Sequence, residues 1–192
     1  MAMTAFRTMM LATMLAGGGM MGATAIAAQK TVMVGGAAMY PTRTIVENAA
    51  NSRDHTTLVA AVKAAGLADT LSGPGPFTVF APTNAAFAKL PAGTVDTLLK
   101  PDSKDQLTAV LTYHVVPGRV SAADIAAKAK ANGGNATYTT VQGEPLTFHK
   151  AGTGSKAGWA IMDGKGHMGR ITIADVYQSN GVIHVIDTVM LP

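Results

Sequence analysis

Gly75-Pro-Phe-Thr-Val-Phe-Ala-Pro-Thr-Asn-Ala-Ala-Phe-Ala-Lys-Leu90 holds a strand, a corner and a helix in one uninterrupted stretch. Phe77, Thr78, Val79 and Phe80 are aromatic or β-branched, the residue types that fit a pleated, half-buried surface. Pro82 has no N–H to give to a ladder and ends the strand. Thr83 or Asn84 then caps a helix, because a side-chain oxygen there reaches the unpaired N–H groups of the first turn. Phe87 and Leu90 are three residues apart and share one side of that helix, which Pro91 closes.

Toward the N-terminus, Gly73-Pro-Gly-Pro76 separates this unit from a helical region. Thr44-Ile-Val-Glu47 is a capping box and opens a short helix. Ser52-Arg-Asp-His55 is a turn. The next helix spans residues 57–65, with Leu58, Val59 and Val62 on one face and Gly66 as its stop. Residues 29–41 show no periodicity and read as a tail. Toward the C-terminus, Thr94 caps a helix ended by Pro101, and Asp102 or Ser103 caps another. In that one Leu107, Val110, Leu111 and His114 recur at helical spacing. It runs into Tyr113-His-Val-Val116, which is strand-like, and Pro117-Gly118 is a turn. Ser121-Ala-Ala-Asp124 is a second capping box, and Asn132-Gly-Gly134 ends its helix.

Beyond residue 135 the pattern changes to short strands at 137–141, 145–149, 159–162, 170–173 and 182–190, with turn residues between them. Asn180-Gly181 is the strongest hairpin signal. Helices first and strands last point to an α+β class. No internal repeat or long linker divides the chain, so residues 42–192 read as one domain.

The chain has 192 residues, 48% of them apolar and 14% charged, which is globular composition. Residues 1–28 read as an export signal: Arg7, an apolar run from Met9 to Met21, then Ala25-Ile-Ala27 as an A-x-A cleavage site. The expected destination is secreted or periplasmic. With no cysteine there is neither a disulfide nor a thiol for a lipid anchor. Without Arg7, 14 basic minus 11 acidic residues leave +3. The basic residues are scattered and aromatics are few, so no nucleic-acid footprint is visible.

In the last strand, Ile183, Val185, Asp187, Val189 and Leu191 alternate with Val182, His184, Ile186, Thr188 and Met190. Both faces are apolar, as in a central strand. His184 and Asp187 have opposite parity, so each reads as a satisfied structural group rather than half of a catalytic pair. There is no Gly-x-Ser-x-Gly elbow, and two Glu and nine Asp, mostly at caps and turns, offer no evident carboxylate pair. No catalytic residue, cofactor or metal site is expected. A copper set drawn from His149, Met162, His167 and Met168 is an alternative without diagnostic spacing. Asn135-Ala-Thr137 is a glycosylation sequon, and the glycines of Gly152-Thr-Gly-Ser-Lys156 fit no phosphate loop. Tyr113 and His114 carry two readings: a packed pair with satisfied polar atoms, or, with Leu111, Val115 and Val116, a contact patch for a partner.

Three stretches resemble one family. Residues 77–87 resemble the first signature box of the fasciclin (FAS1) domain, Leu111-Thr-Tyr-His-Val-Val-Pro-Gly118 its tyrosine–histidine motif, and residues 180–192 its closing box. Their order and spacing fit as well, over about residues 42–192. The resemblance implies a FAS1 fold, a β-sandwich-like wedge of short strands with helices packed around it. It also implies a non-catalytic exported module for cell adhesion or for interaction with a cell-surface or extracellular protein or polysaccharide. In some animal members the tyrosine–histidine region takes part in integrin binding. Tyr113 and His114 match that motif, whereas the short acidic motifs and Arg-Gly-Asp have no counterpart here. The alternative function is a periplasmic binding protein for a small hydrophobic ligand or copper.

Overall fold

The computed structural model describes residues 31–152 and 158–192, so the expected export signal and most of residues 152–156 lie outside the described residues. The first described element is a hairpin, β1 (Val32–Val34) with β2 (Ala37–Met39). The segment expected as a tail therefore closes the core: Val34 and Met39 are buried, and the Tyr40 backbone exchanges two hydrogen bonds with the Asn48 side chain. Strands of three residues are too short to show a period in sequence.

Helix α1 (Ile45–Asn51) starts at Thr44, whose hydroxyl accepts from the Glu47 N–H while the Glu47 carboxylate accepts from the Thr44 N–H. This is the reciprocal box that the sequence shows. A 3-10 turn at Arg53–His55 leads into α2 (Thr56–Ala65), which Gly66 ends in the left-handed region at φ 74°; α3 (Ala68–Ser72) follows. The opening stretch forms β3 (Phe77–Pro82) and α4 (Asn84–Ala88), with the Thr83 hydroxyl accepting from the Ala86 N–H. Next come α5 (Thr94–Leu98), α6 (Lys104–Tyr113), β4 (Val115–Pro117) and α7 (Ala122–Ala131), the last opened by the Ser121–Asp124 box. Gly93, not Thr94, is the N-cap of α5, and Ser103 precedes α6 without a side-chain cap bond.

The remaining strands are β5 (Asn135–Thr139), β6 (Pro145–Ala151), β7 (Gly158–Met162), β8 (Met168–Gln178) and β9 (Gly181–Ile186). Strand β8 is much longer than expected because two register shifts, Ile171/Ile173 and Ile173/Val176, interrupt its alternation. Asp175, at φ 58°, sits in the second. The ladder of β9 stops at Ile186, short of the Met190 expected.

Seven strands form one sheet in the order β4-β3-β9-β8-β7-β6-β5. Only β3 and β9 are parallel, in register from Phe77↔Gly181 to Pro82↔Ile186. The two ends of the sheet curl together, and the Val141 N–H donates to the Val115 carbonyl at 2.7 Å. The first and last motifs of the sequence thus meet at the centre. A Cβ on Gly181 would stand 2.0 Å from the Phe77 carbonyl oxygen, so this pairing demands glycine. That corrects the turn reading: the turn residues are Ser179 and Asn180, and Gly181 already belongs to β9. The buried Asn180 side chain accepts from the Ile45 N–H and donates to the Leu71 and Gly73 carbonyls, tying α1 and α3 to the sheet.

The central strands divide the interior. Val79, Ala81, Ile183 and Val185 join Ile45, Leu58, Val62 and Leu111 in an aliphatic core under the helices. Phe80 and Ile186 point the other way, into an aromatic core with Tyr113, Phe148, Leu146 and Ile125. Strand β9 is buried along its whole length, as expected for a strand covered on both faces.

Candidate functional site

Helix α6 hands over to β4 at Tyr113 and His114, and both side chains point inward. Leu111, Tyr113, His114, Val115 and Val116, grouped from sequence as a contact patch, are all buried. Leu111 and Val115 enter the aliphatic core, Tyr113 and Val116 the aromatic one. A short strand between two cores has no outward face left to offer.

What the pair does instead is hold other segments. The Tyr113 hydroxyl donates to the Pro145 carbonyl and accepts from the Gly164 N–H, both at 3.0 Å. Burial pushes the pKa of this phenol up. His114 is held at both nitrogens. A carbonyl can only accept, so Nδ1 carries the proton and donates to the Val110 carbonyl at 2.7 Å. Nε2 then accepts from the Met190 N–H at 3.0 Å. This fixes one neutral tautomer, and burial depresses its pKa to about 4.

Asp163 completes the arrangement, and the sequence reading passed over it. One carboxylate oxygen accepts from the N–H groups of Lys165 and His167; the other accepts from His167 Nδ1 at 2.8 Å and the Leu191 N–H at 3.1 Å. Burial alone would raise its pKa, but the bonds from Leu191 and His167 outweigh it and hold the carboxyl low. The signal for it was local: an Asp opening Asp163-Gly-Lys-Gly166, where its side chain can bond the backbone two residues on. Tyr113, His114 and Asp163 together pin the start of β6, the β7–β8 turn and the C-terminal Met190–Leu191 segment.

Above this clamp lies an exposed surface. His167 keeps its other nitrogen outward, with the side chain 54% exposed. Met168 is 56% exposed, and Val141, on the β5–β6 turn, is 50% exposed. The two turns adjoin, since Glu144 Oε2 lies 3.7 Å from where a Cβ on Gly164 would stand. Val141 on its turn and Met168 at the first position of β8 are thus two exposed apolar side chains at firmly held segments.

His184 gives both ring nitrogens to backbone groups: Nε2 donates to the Val120 carbonyl at 2.8 Å and Nδ1 accepts from the Asp175 N–H at 3.3 Å. Asp187 accepts from the Arg170 N–H and the Thr188 hydroxyl. Ser52 Oγ and His55 Nδ1 stand 2.9 Å apart, but both residues are buried, and burial lowers the pKa of this imidazole. Among the described residues no group of three or more His, Asp or Glu is placed to hold a metal. Of the copper set, Met162 and Met168 face each other across β7 and β8, His149 sits on β6 opposite Ala160, and His167 is turned toward Asp163. An apolar cavity between α1, α2 and α6, lined by Ile45, Leu58, Val62 and Leu111, measures about 30 Å³. Small-molecule pockets run from roughly 300 to 1,000 Å³.

Comparisons with known proteins agree with this fold. The Fasciclin domain model matches residues 53–192. The chain belongs to the fasciclin family. Protein sll1483 of Synechocystis sp. is 49% identical over 166 residues, covering 85% of this chain and 82% of that protein. The immunogenic protein MPB70 of Mycobacterium bovis is 38% identical over 149 residues, covering 75% of this chain and 66% of that protein. A solved FAS1 domain pair from the insect cell adhesion molecule Fasciclin I superposes with a TM-score of 0.56 at 23% identity, over 70% of this chain and 43% of that one. This fasciclin domain therefore has the FAS1 wedge, and its tyrosine–histidine motif is an interior joint.

Proposed function

We propose that this fasciclin domain is a non-catalytic, exported, surface-associated module that binds a cell-surface or extracellular partner through the adjoining β5–β6 and β7–β8 turns. The observation that carries this reading is the pair of exposed apolar side chains, Val141 and Met168, on and beside turns held from beneath by Tyr113, His114 and Asp163. Val141 and Met168 are two of the four large hydrophobic residues exposed among the described residues, the others being Met33 and Tyr40. Family membership supports the class, as does a relative 39% identical over 126 residues, the cell surface glycolipoprotein MPB83 of Mycobacterium bovis. That match covers 66% of this chain and 48% of the relative. The apolar run and Ala25-Ile-Ala27 at the N-terminus support export. Tyr113 and His114 act here as positioning residues.

The test is adsorption of the purified protein to washed cell envelopes of its host. The Val141→Ser/Met168→Ser variant should lose most of the adsorption with an unchanged melting temperature. Full adsorption by that folded variant would remove the turns as the contact face, and no adsorption by the parent protein would remove the function.

A further inference from the structure

A second surface lies at the opposite end of β6. Helix α7 covers the inner face of β5 and β6 through Ile125 and Ala129, which pack on Ala136, Leu146 and Phe148. Where α7 ends, an open groove of about 410 Å³ remains between helix and sheet. Its floor is Ala126, Ala127 and Ala129, and its walls are Lys130 from the helix and Lys150 from β6, with Gly134 between them. The floor is methyl groups only.

The charge around the groove is one-sided. Among the described residues Lys130 and Lys150 form no ion pair. Lys128, one turn before the helix end, is parked over the Tyr138 ring at 4.0 Å and does not line the groove. No acidic side chain lines the groove among the described residues: Asp124 is in the first turn of α7, and Glu144 sits at the far end of the β5–β6 hairpin beside Gly164. Near the end of α7 the Lys128 and Ala129 carbonyls accept from the N–H groups of Asn132 and Gly134. Trp159, half-buried, is the cross-strand partner of Lys150.

We propose that this groove binds an acidic polysaccharide, with Lys130 and Lys150 flanking its carboxylate or sulfate groups and the alanine floor carrying the sugar rings. The chemistry of the walls selects this class. A peptide added as an extra strand would need a free edge, and β6 is already paired on both sides by β5 and β7. Single-stranded nucleic acid needs an aromatic platform for its bases, and among the described residues no aromatic side chain lines the groove. A stiff, anionic chain needs neither. The site is separate from the turns above Tyr113, so it stands whether or not those turns are a contact face.

Affinity electrophoresis of the full mature chain through gels containing alginate, heparin or uncharged dextran tests this. The parent protein should be retarded by alginate and heparin and not by dextran. Lys130→Gln/Lys150→Gln should weaken that retardation about tenfold in apparent Kd, while the control Lys63→Gln/Lys100→Gln, which also removes two charges, and Val141→Ser/Met168→Ser leave it intact. Near-ultraviolet circular dichroism confirms that each variant is folded. Retardation lost equally in the control pair would show general charge attraction and overturn the proposal. So would equal binding to poly-glutamate or single-stranded DNA, or no retardation of the parent protein.

Discussion

Tyr113-His114 and His167-Met168 sit at the same end of the wedge and do opposite jobs. His114 gives both ring nitrogens to backbone groups and is sealed from water. His167 gives one nitrogen to Asp163 and leaves the rest of its ring exposed. One pair is the support and the other is what the support presents. The difference is one of burial: the family's motif at Tyr113-His114 faces the interior, and His167-Met168 faces solvent. A motif fixed by packing restricts every neighbouring position, because each buried polar atom must find its partner, whereas an exposed turn is free to vary.

The largest effect should come from breaking the support. His114→Ala leaves the Met190 N–H buried without an acceptor and opens a cavity, at a cost of about 3 kcal/mol in urea unfolding. Acid attacks the same bond. The unfolded chain takes up its proton near 6.5 and the folded His114 near 4, so between those values the unfolded state holds more protons. Stability from this group is full above pH 6.5 and falls as pH drops toward 4, by about 3 kcal/mol. His114→Gln should flatten that part of the stability–pH curve, with the remaining acid slope carried by the buried His184 and His55, whose pKa values are also lowered by burial.

Asp163→Asn should come next. An amide cannot accept four N–H bonds, so a loss of about 2 kcal/mol is expected, with faster amide exchange at His167 and Leu191 as its mark. Tyr113→Phe removes one bond to Pro145 and one from Gly164, for about 1 to 2 kcal/mol. It should reduce envelope adsorption only as far as the turns loosen. The smallest stability effect belongs to the presented side: Met168→Ser should stay within about 0.5 kcal/mol, whereas His167→Ala, which takes one donor from the buried Asp163 carboxylate, should cost about 1 kcal/mol. If Met168→Ser destabilised as strongly as Asp163→Asn, the contrast between support and surface would fail.

Much of this was legible in residue order. The strand-to-helix corner at Thr83, both capping boxes and the doubly covered closing strand depend on neighbours within a few positions. His184 lies inside β9 with both nitrogens bonded to backbone, whereas Asp187 falls just past the end of the strand at Ile186, so alternation reaches only the first of the two. Two other features were hidden by their size: the β1–β2 hairpin has strands of three residues, and β8 loses its alternation at two register shifts.

The candidate site was less legible. Tyr113 and His114 were visible as a motif, but the segments they hold lie 32 and 51 residues away from Tyr113 and 76 residues away from His114. Local spacing carries no sign of such distant bonds. Asp163 looked like an ordinary turn residue, and only the return of the C-terminal segment over it gave it a fourth donor. The lysine groove joins a helix to a strand some twenty positions further on, so its one-sided charge has no signature in composition.

The sequence by itself determined the class of the fold, the family and the ends of most helices, since caps, breakers and periodicity act over one or two turns of chain. Tertiary structure decided which motif is buried and which is offered to solvent. It also decided why Gly181 must be glycine: its backbone lies against Phe77, 104 positions earlier in the chain. Burial is a property of what packs on top of a residue, and here that cover comes from parts of the chain that no local pattern connects.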